Sequence, residues 1–179
     1  SSRTLRFRTR LVANRTDTVT SVANLALPLW LKLQRVASND TVTAYYSADA
    51  GGAPLSWAQL GSPTVIDMDA TADYSATADS GSDTVAATAI FTVLQLTPPA
   101  SGVATLAEDF GGGTQAGTYA YDAGTDIHTL AGKGSFDGSG MFWGEQFTGD
   151  FILTALQTDA TSNANDARSG IMIRDTALR

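Results

Sequence analysis

The run Leu29-Trp30-Leu31-Lys32-Leu33-Gln34-Arg35-Val36 decides the fold class of this chain of 179 residues. Its leucines recur at every second position, as they do in a strand that buries one face. The triplet Ser38-Asn39-Asp40 has the chemistry of a turn, and residues 41–47 alternate again, so this region predicts a β-hairpin. Similar short runs, separated by Gly-, Ser- and Asp-rich turns, fill the chain. The pattern predicts an all-β protein, an antiparallel jelly-roll β-sandwich.

Composition excludes several classes of function. The net charge is −7 and the isoelectric point is near 4.4, so the basic surface that binds nucleic acid is not expected. The chain has no cysteine, which excludes disulfide and thiol chemistry. The most apolar run, residues 23–33, is too short for a transmembrane helix and contains Lys32. We therefore expect neither nucleic acid nor a membrane span among the interactions of this chain.

The first predicted strand, residues 4–11, has a cationic face. Apolar residues and arginines alternate along it, with Leu5, Phe7 and Leu11 on one face and Arg6, Arg8 and Arg10 on the other. One interpretation is a half-buried strand whose cationic face is solvated. The other is a row of cations that meets an acidic neighbour.

A pair of prolines divides the chain. Pro98 and Pro99 fix φ and cannot donate ladder hydrogen bonds, and the stretch 95–102 around them is typical of a linker. Before it, we expect residues 74–78 and 84–96 to form a hairpin. Two short strands are predicted earlier, at 56–60 and 64–68. After it, we expect loops at 109–113 and 121–125, and strands at 127–130, 141–147, 150–156 and 170–175.

Several short motifs of the sequence resemble those of a known family. Trp30-Leu31-Lys32-Leu33-Gln34-Arg35, followed by Thr43-Ala44-Tyr45-Tyr46-Ser47 and Ser56-Trp57, resembles the "WLRLxR…fxAyYS.DG..W" pattern of concanavalin-A-like, laminin-G-like jelly-roll domains. Residues 149–155 are similar to the "GDfxitA" motif of the same domains, and residues 169–175 to their "aGxMiRd" motif. Such domains occur in large secreted bacterial proteins, so the resemblance implies an extracellular or cell-surface location.

The order of the motifs departs from that family. The resemblance divides the chain into a C-terminal half of a jelly roll at 1–96, a Pro-rich linker at 97–102, and an N-terminal half at 103–179. Three explanations are open: a circular permutant that folds alone, a window on a tandem-repeat protein, or a subunit whose half-domains complete its neighbours. We favour the third, because a half sandwich leaves strand edges and an apolar face open. Head-to-tail completion of this kind produces a filament.

The favoured explanation makes this chain a structural subunit of an extracellular filament or surface fibre, with copies of itself as partners. We then expect few contacts between residues 1–96 and 103–179 of one molecule. The residues assigned to assembly are Arg6, Arg8, Arg10, Pro98, Pro99, Ile171 and Ile173. The alternative function is a carbohydrate-binding, lectin-like module of a secreted bacterial protein, with a polysaccharide as partner.

Nothing in the sequence predicts an enzyme. A glycosidase needs two carboxylates at a fixed separation, and the only glutamates, Glu108 and Glu145, lie far apart in the sequence without a Glu-x-Asp-x-x-Glu run. His128 is the single histidine, and we expect it to be a packed or surface residue rather than a catalytic base.

Two kinds of ligand site have candidates. Ca²⁺ is the one cofactor considered, because hard carboxylate oxygens suit it and related jelly rolls carry such ions; the alternative is solvated turn aspartates. Its candidate ligands are Asp109, Asp122, Asp126 and Asp137. A glycan would need exposed aromatic side chains, although packing in the core is the more common role of such residues. The candidates are Trp57, Trp143, Phe142, Tyr45 and Tyr46.

Overall fold

A computed structural model of the chain describes residues 3–9, 18–80, 82–97, 106–111, 117–134, 139–161 and 167–175. Most of these residues belong to β-strands, which confirms the all-β prediction. The strands are β1 (Arg3–Thr9), β2 (Thr18–Leu25), β3 (Leu29–Val36), β4 (Thr41–Ala48), β5 (Ala58–Val65), β6 (Thr71–Asp79), β7 (Ser82–Thr97), β8 (Leu106–Gly111), β9 (Thr118–Asp122), β10 (Ile127–Gly134), β11 (Ser139–Thr148), β12 (Phe151–Thr161) and β13 (Arg168–Asp175).

These strands form three antiparallel sheets. The largest has seven strands in the order β5-β4-β3-β12-β7-β10-β9, and a second has four in the order β13-β6-β11-β8. A separate two-stranded ribbon is made by β1 and β2. The antiparallel pairing that the alternating sequence predicts is therefore confirmed.

The core lies between the two larger sheets. Ala76 and Ala78 of β6 cluster with Phe91 of β7, Leu130 of β10 and Ala155 of β12, and all five are buried. Because β6 belongs to one sheet and the other three strands to the other, the sheets pack face to face as in a β-sandwich. Burying a side chain of the size of Phe91 or Leu130 contributes about 1.5–3 kcal/mol.

The hairpin predicted from Leu29–Val36 is confirmed. Leu33 of β3 pairs with Ala44 of β4, and Val36 pairs with Thr41. A short 3₁₀ turn at Ala37–Asn39 joins the strands, and the amide of Thr41 donates a hydrogen bond of 3.2 Å to Oδ1 of Asn39. Ser38-Asn39-Asp40 therefore lies at a turn, as its residue types predict.

The predicted hairpin of residues 74–78 and 84–96 is wrong. β6 lies in the four-stranded sheet between β13 and β11, whereas β7 lies in the seven-stranded sheet between β12 and β10. The chain crosses from one layer to the other at Ser80, which is buried and donates from Oγ to the carbonyl of Ser82 at 2.7 Å. Two consecutive strands form a hairpin only when they lie in the same sheet. The alternation of apolar and polar residues predicts a strand but does not specify which sheet the strand joins.

Other local predictions also need correction. Residues 106–111 and 118–122 are the strands β8 and β9, although we expect loops at 109–113 and 121–125. β8 ends at Gly111 and β9 ends at Asp122, so residue types that are typical of turns lie at the ends of paired strands. β2 is not predicted at all. The two short strands expected at 56–60 and 64–68 are replaced by one strand, β5, which contains Gly61 at φ 76° and a register shift opposite β4.

The two parts of the chain on either side of the prolines form one structure. β12 lies between β3 and β7, with Leu153 paired to Leu33 on one side and to Leu96 on the other. β6 lies in the same way between β13 and β11. The expectation of few contacts between 1–96 and 103–179 is therefore wrong. β12, from the second part, pairs along both edges with strands of the first part, and β6, from the first part, pairs along both edges with strands of the second part. Pro98 and Pro99 lie outside the described residues.

No helix in the described part of the chain is long and apolar enough to cross a membrane.

Candidate functional site

A cavity of about 530 Å³ opens between the ribbon and the edge of the four-stranded sheet. One side is formed by residues 4–8 of β1 and the other by residues 167–173, which include most of β13. The floor is the inner face of the seven-stranded sheet, where Leu31, Leu33 and Ala44 line the cavity. We call this cavity the seam.

The seam lies between β1 and β13, which belong to different sheets. Among the described strands, β1 pairs with β2 alone and β13 pairs with β6 alone. β13 packs over three neighbouring strands of the seven-stranded sheet, β3, β12 and β7, whereas β1 packs over its edge strand β5. The seam is the space that lies between them.

Part of the inner wall of the seam is apolar. Leu5 and Phe7 of β1 pack against a core cluster that contains Leu33, and so do Ile171 and Ile173 of β13. All five of these residues also line the cavity. An extended segment in the seam would therefore place its inward side chains against apolar surface continuous with the core.

Cations surround the seam on its outer side. Arg6 of β1 is exposed and Arg8 is half-buried. On β13, Arg168 lines the cavity, and Arg174 places Nε 3.2 Å from Oδ2 of the fully buried Asp73. The structure thus brings together four of the residues that the sequence assigns to assembly, namely Arg6, Arg8, Ile171 and Ile173, around one cavity. Arg10, Pro98 and Pro99 lie outside the described residues.

Two of the candidate glycan-binding aromatics, Tyr45 and Trp57, lie together beside Lys32, and Tyr45 also lines the seam. The ammonium of Lys32 lies 4.2 Å from the ring centroid of Tyr45 and 4.2 Å from that of Trp57, so it contacts a face of each ring. Partial burial lowers the pKa of Lys32. Tyr46 packs instead against the core cluster, and the side chains of the remaining two candidates, Phe142 and Trp143, are outside the described part.

The described calcium candidates have local partners in the turn between β9 and β10. Asp122 accepts hydrogen bonds from Oγ1 of Thr125 at 2.8 Å and from the amide of Gly124 at 2.9 Å. Both bonds lower the pKa of Asp122, and the bond from the Thr125 hydroxyl has the larger effect. Asp126 accepts a bond of 3.1 Å from the Tyr121 hydroxyl. Within the described ranges, no three His, Cys, Asp or Glu residues are grouped so that they could hold a metal ion.

Asp137 and the side chain of Asp109 lie outside those ranges, so the calcium prediction rests on two described residues. Both act there as acceptors within the turn.

Two further pairs of ionisable side chains lie within hydrogen-bonding distance of each other. The Tyr74 hydroxyl donates a hydrogen bond of 2.7 Å to Oε2 of Glu145, and burial together with this bond raises the pKa of Tyr74. The Tyr119 hydroxyl lies 3.0 Å from Nδ1 of His128, and burial raises the pKa of Tyr119 to about 12. Burial also lowers the pKa of His128, against an opposing effect of Asp126.

No family model, curated protein or solved structure matches this chain. The resemblance to concanavalin-A-like domains therefore stays a prediction from short sequence motifs.

The seam itself is a feature that reasoning from sequence missed. Its lining comes mainly from β1, the β3–β4 hairpin and β13, which are far from one another along the chain, with single residues from other strands. A cationic first strand and an aliphatic last strand are visible as separate patterns, but no local pattern places their edges opposite each other.

Proposed function

We propose that this chain is a structural subunit of an extracellular filament or surface fibre, in which a neighbouring copy adds a strand at the seam. The observation that supports the proposal is the cavity between β1 and β13, which is lined in part by apolar side chains and lies between two strands that each pair with one other described strand. Strand addition to such edges supplies main-chain hydrogen bonds, and the pockets beneath supply side-chain contacts.

The described strands of the two parts pair with each other within one chain. The exchange that we propose is accordingly of one strand at the seam rather than of half a domain. A donor segment and a seam are different surfaces of the same molecule, so the contact is head-to-tail and propagates from copy to copy.

The finer features of the fold belong to the same proposal. We propose a jelly-roll sandwich with its halves in permuted order, because the motifs at 30–57 and 149–175 occur in the reverse order of the family that they resemble. The extracellular location follows from that resemblance alone. The lectin-like alternative has weaker support, since Lys32 occupies one face of both Tyr45 and Trp57.

The experiment fills the seam and measures assembly. Ala44 is buried on the floor of the cavity, and Ala44→Phe extends a ring into the space that a donor strand needs. Ala86→Phe makes the same change at an exposed position of β7 outside the seam and is the matched control. Sedimentation velocity over a concentration series gives the mass, circular dichroism checks folding, and negative-stain electron microscopy detects fibres.

We expect the wild type and Ala86→Phe to associate with rising concentration and to form fibres, and Ala44→Phe to remain monomeric and folded. If Ala44→Phe does not fold, Gly170→Trp replaces it, because a Cβ at Gly170 meets open space at the edge of the seam. A wild type that stays monomeric at its highest soluble concentration contradicts the proposal. Assembly that is unchanged in the folded, seam-filled variant contradicts it equally.

A further inference from the structure

We infer that the seven-stranded sheet binds an acidic polysaccharide on the face turned away from the core, with one carboxylate of the sugar chain paired to Lys32. Tyr45 and Trp57 hold the lysine in position rather than stack on a sugar ring. Polar side chains on neighbouring strands bind the sugar hydroxyls. This binding function is separate from assembly at the seam and does not rest on it.

The side chains of Lys32 and Tyr45 project away from the core. Leu33 and Ala44 are paired across β3 and β4, and both are buried in one core cluster. Lys32 and Tyr45 are the next pair along the same two strands, which pair without a register shift. Because successive residues of a strand point to opposite faces, the side chains of Lys32 and Tyr45 lie on the outer face of the sheet, opposite to Leu33 and Ala44.

Lys32 is the centre of a row of hydrogen-bonding side chains that crosses five strands. Thr154 pairs with Lys32 on one side and with Gln95 on the other, while Tyr45 pairs with Lys32 and with Gln59. Paired residues share a face of the sheet, and strands about 4.8 Å apart give this row a length of about 19 Å. Both glutamines are exposed, and the three residues between them are half-buried. A linear ligand can therefore contact the whole row.

The Lys32 ammonium is positioned without a counterion. It lies 4.2 Å from the ring centroids of Tyr45 and Trp57, and within the described ranges no carboxylate lies within 4 Å of it. Two cation–π contacts restrict the side chain before a ligand arrives, which lowers the entropy lost on binding. Partial burial lowers the pKa of Lys32, an effect that a bound carboxylate would oppose.

Charge on this face selects a ligand with a carboxylate. The chain has 18 Asp and Glu residues, yet Lys32 is the only charged residue of the row. The positions two residues away on each of its five strands are also uncharged. A carboxylate placed at Lys32 therefore meets one cation and no neighbouring anion on these strands. Opposite charges in this position attract at contact distance, as in an exposed ion pair.

The rest of the row favours a sugar chain over a protein segment. Amide and hydroxyl side chains both donate and accept hydrogen bonds, as sugar hydroxyls do, and Gln95, Thr154 and Tyr45 supply such groups. In the described part of the chain, no side-chain hydrogen bond uses Gln95 or Thr154. A protein partner would require an apolar, aromatic centre in the contact surface, whereas the centre of this row is an ammonium.

Short oligogalacturonates test the inference, with their methyl esters as matched probes that have the same sugar chain but no charge. Isothermal titration calorimetry on the full chain measures binding at low and high salt. Lys32→Gln removes the ammonium, and Lys133→Gln makes the same change in net charge at the only other lysine, on β10. Oligoglutamate is the probe for an acidic protein segment, and circular dichroism checks that each variant is folded.

We expect the acid to bind about three- to tenfold more tightly than the ester, and the difference to shrink at high salt. The difference should disappear in Lys32→Gln and persist in Lys133→Gln. It should also persist in Ala44→Phe, because Ala44 belongs to the opposite face of the sheet.

Equal binding of the acid and the ester to the wild type overturns the inference, and this comparison does not depend on the folding of any variant. A preference for the acid that survives in Lys32→Gln also overturns it, as does the absence of binding. Oligoglutamate that binds more tightly than the sugar assigns the face to an acidic protein segment instead. A monomeric wild type contradicts the proposed function but leaves this inference standing, since the sugar is titrated into single chains.

Discussion

The buried guanidinium of Arg35 donates from Nη2 to the main-chain carbonyl of Asp69 at 2.7 Å. Nη1 of the same side chain donates to the carbonyl of Ala70 at 3.2 Å. Arg35 lies on β3, and the two carbonyls belong to the segment between β5 and β6, which joins one sheet to the other. One buried cation therefore fixes the crossing between the two layers of the sandwich.

We expect Arg35→Ala to lower the free energy of unfolding by about 2–4 kcal/mol, because two charge-assisted hydrogen bonds are lost and a cavity is left. Urea denaturation followed by tryptophan fluorescence measures the change. Asp40→Asn is the control, since Oδ1 of Asp40 lies 3.7 Å from Nη2 of Arg35 and the side chain is 34% exposed. Asn suits the left-handed φ of 51° at this position, so only the charge is removed.

Asp40→Asn should cost less than about 1 kcal/mol, because a partly exposed ion pair is screened by solvent. If it costs as much as Arg35→Ala, the ion pair rather than the two carbonyls holds Arg35.

Gly144 and Gly170 make a second matched pair. Both are paired with β6, Gly144 opposite Ser75 and Gly170 opposite Thr77. A Cβ at Gly144 would collide with the carbonyl oxygen of Tyr74 and lie 2.8 Å from Cβ of Ser75, whereas a Cβ at Gly170 meets nothing within 4 Å. The backbone of β6 thus approaches β11 at a point that only glycine permits.

Gly144→Ala should lower the free energy of unfolding by about 1–3 kcal/mol or prevent folding, because backbone atoms must move to admit the methyl group. Gly170→Ala should be neutral or stabilising by about 0.4–1 kcal/mol. Thermal unfolding by circular dichroism compares the two. Equal melting temperatures would contradict the close approach at Gly144.

The fold class follows from the sequence because strand periodicity is a local property. The leucines of β3 alternate, and the strand that they predict pairs with β4 in the expected hairpin. Which sheet a strand joins is a non-local property, as β6 and β7 illustrate: both alternate, and they lie in different layers. β8 was missed because the Gly and Asp residues at its end have the chemistry of a loop.

The candidate site was predictable only in pieces. The alternation in β1 and β13 separates Arg6 and Arg8 from Leu5 and Phe7, and it marks Ile171 as a core residue. That β1 and β13 line the same cavity depends on which strands of the large sheet lie beneath them. The burial of Arg35 is likewise invisible, because charged residues at strand ends are usually exposed.

Alkaline pH should weaken the fold through Tyr119. Burial raises the pKa of Tyr119 from its ordinary 10.0 to about 12, so the folded state keeps a proton that the unfolded state releases. The resulting stabilisation is complete below pH 10.0 and is lost as the pH rises towards 12. We expect Tyr119→Phe to reduce the fall in stability over this interval. Denaturation at a series of pH values measures it, and an unchanged fall would contradict the assignment.

Mild acid should weaken the fold through His128. Burial lowers the pKa of His128 below its ordinary 6.5, so the unfolded state binds a proton that the folded state does not. Stability is therefore fully present above pH 6.5 and falls as the pH drops below it. Around the ring, Nδ1 lies 3.0 Å from the Tyr119 hydroxyl, Nε2 lies 3.7 Å from Oδ1 of Asp126, and the Tyr121 ring centroid is 4.6 Å away.

Asp126 opposes the shift, so removing its charge should enlarge the dependence on pH. We expect His128→Gln to flatten the free energy of unfolding between about pH 5 and 7, where ordinary carboxyl and tyrosine groups do not titrate, and Asp126→Asn to steepen it. Chemical denaturation of both variants and the wild type across that interval measures the slopes. A slope that persists in His128→Gln, or that declines in Asp126→Asn, would assign the acid sensitivity to other groups.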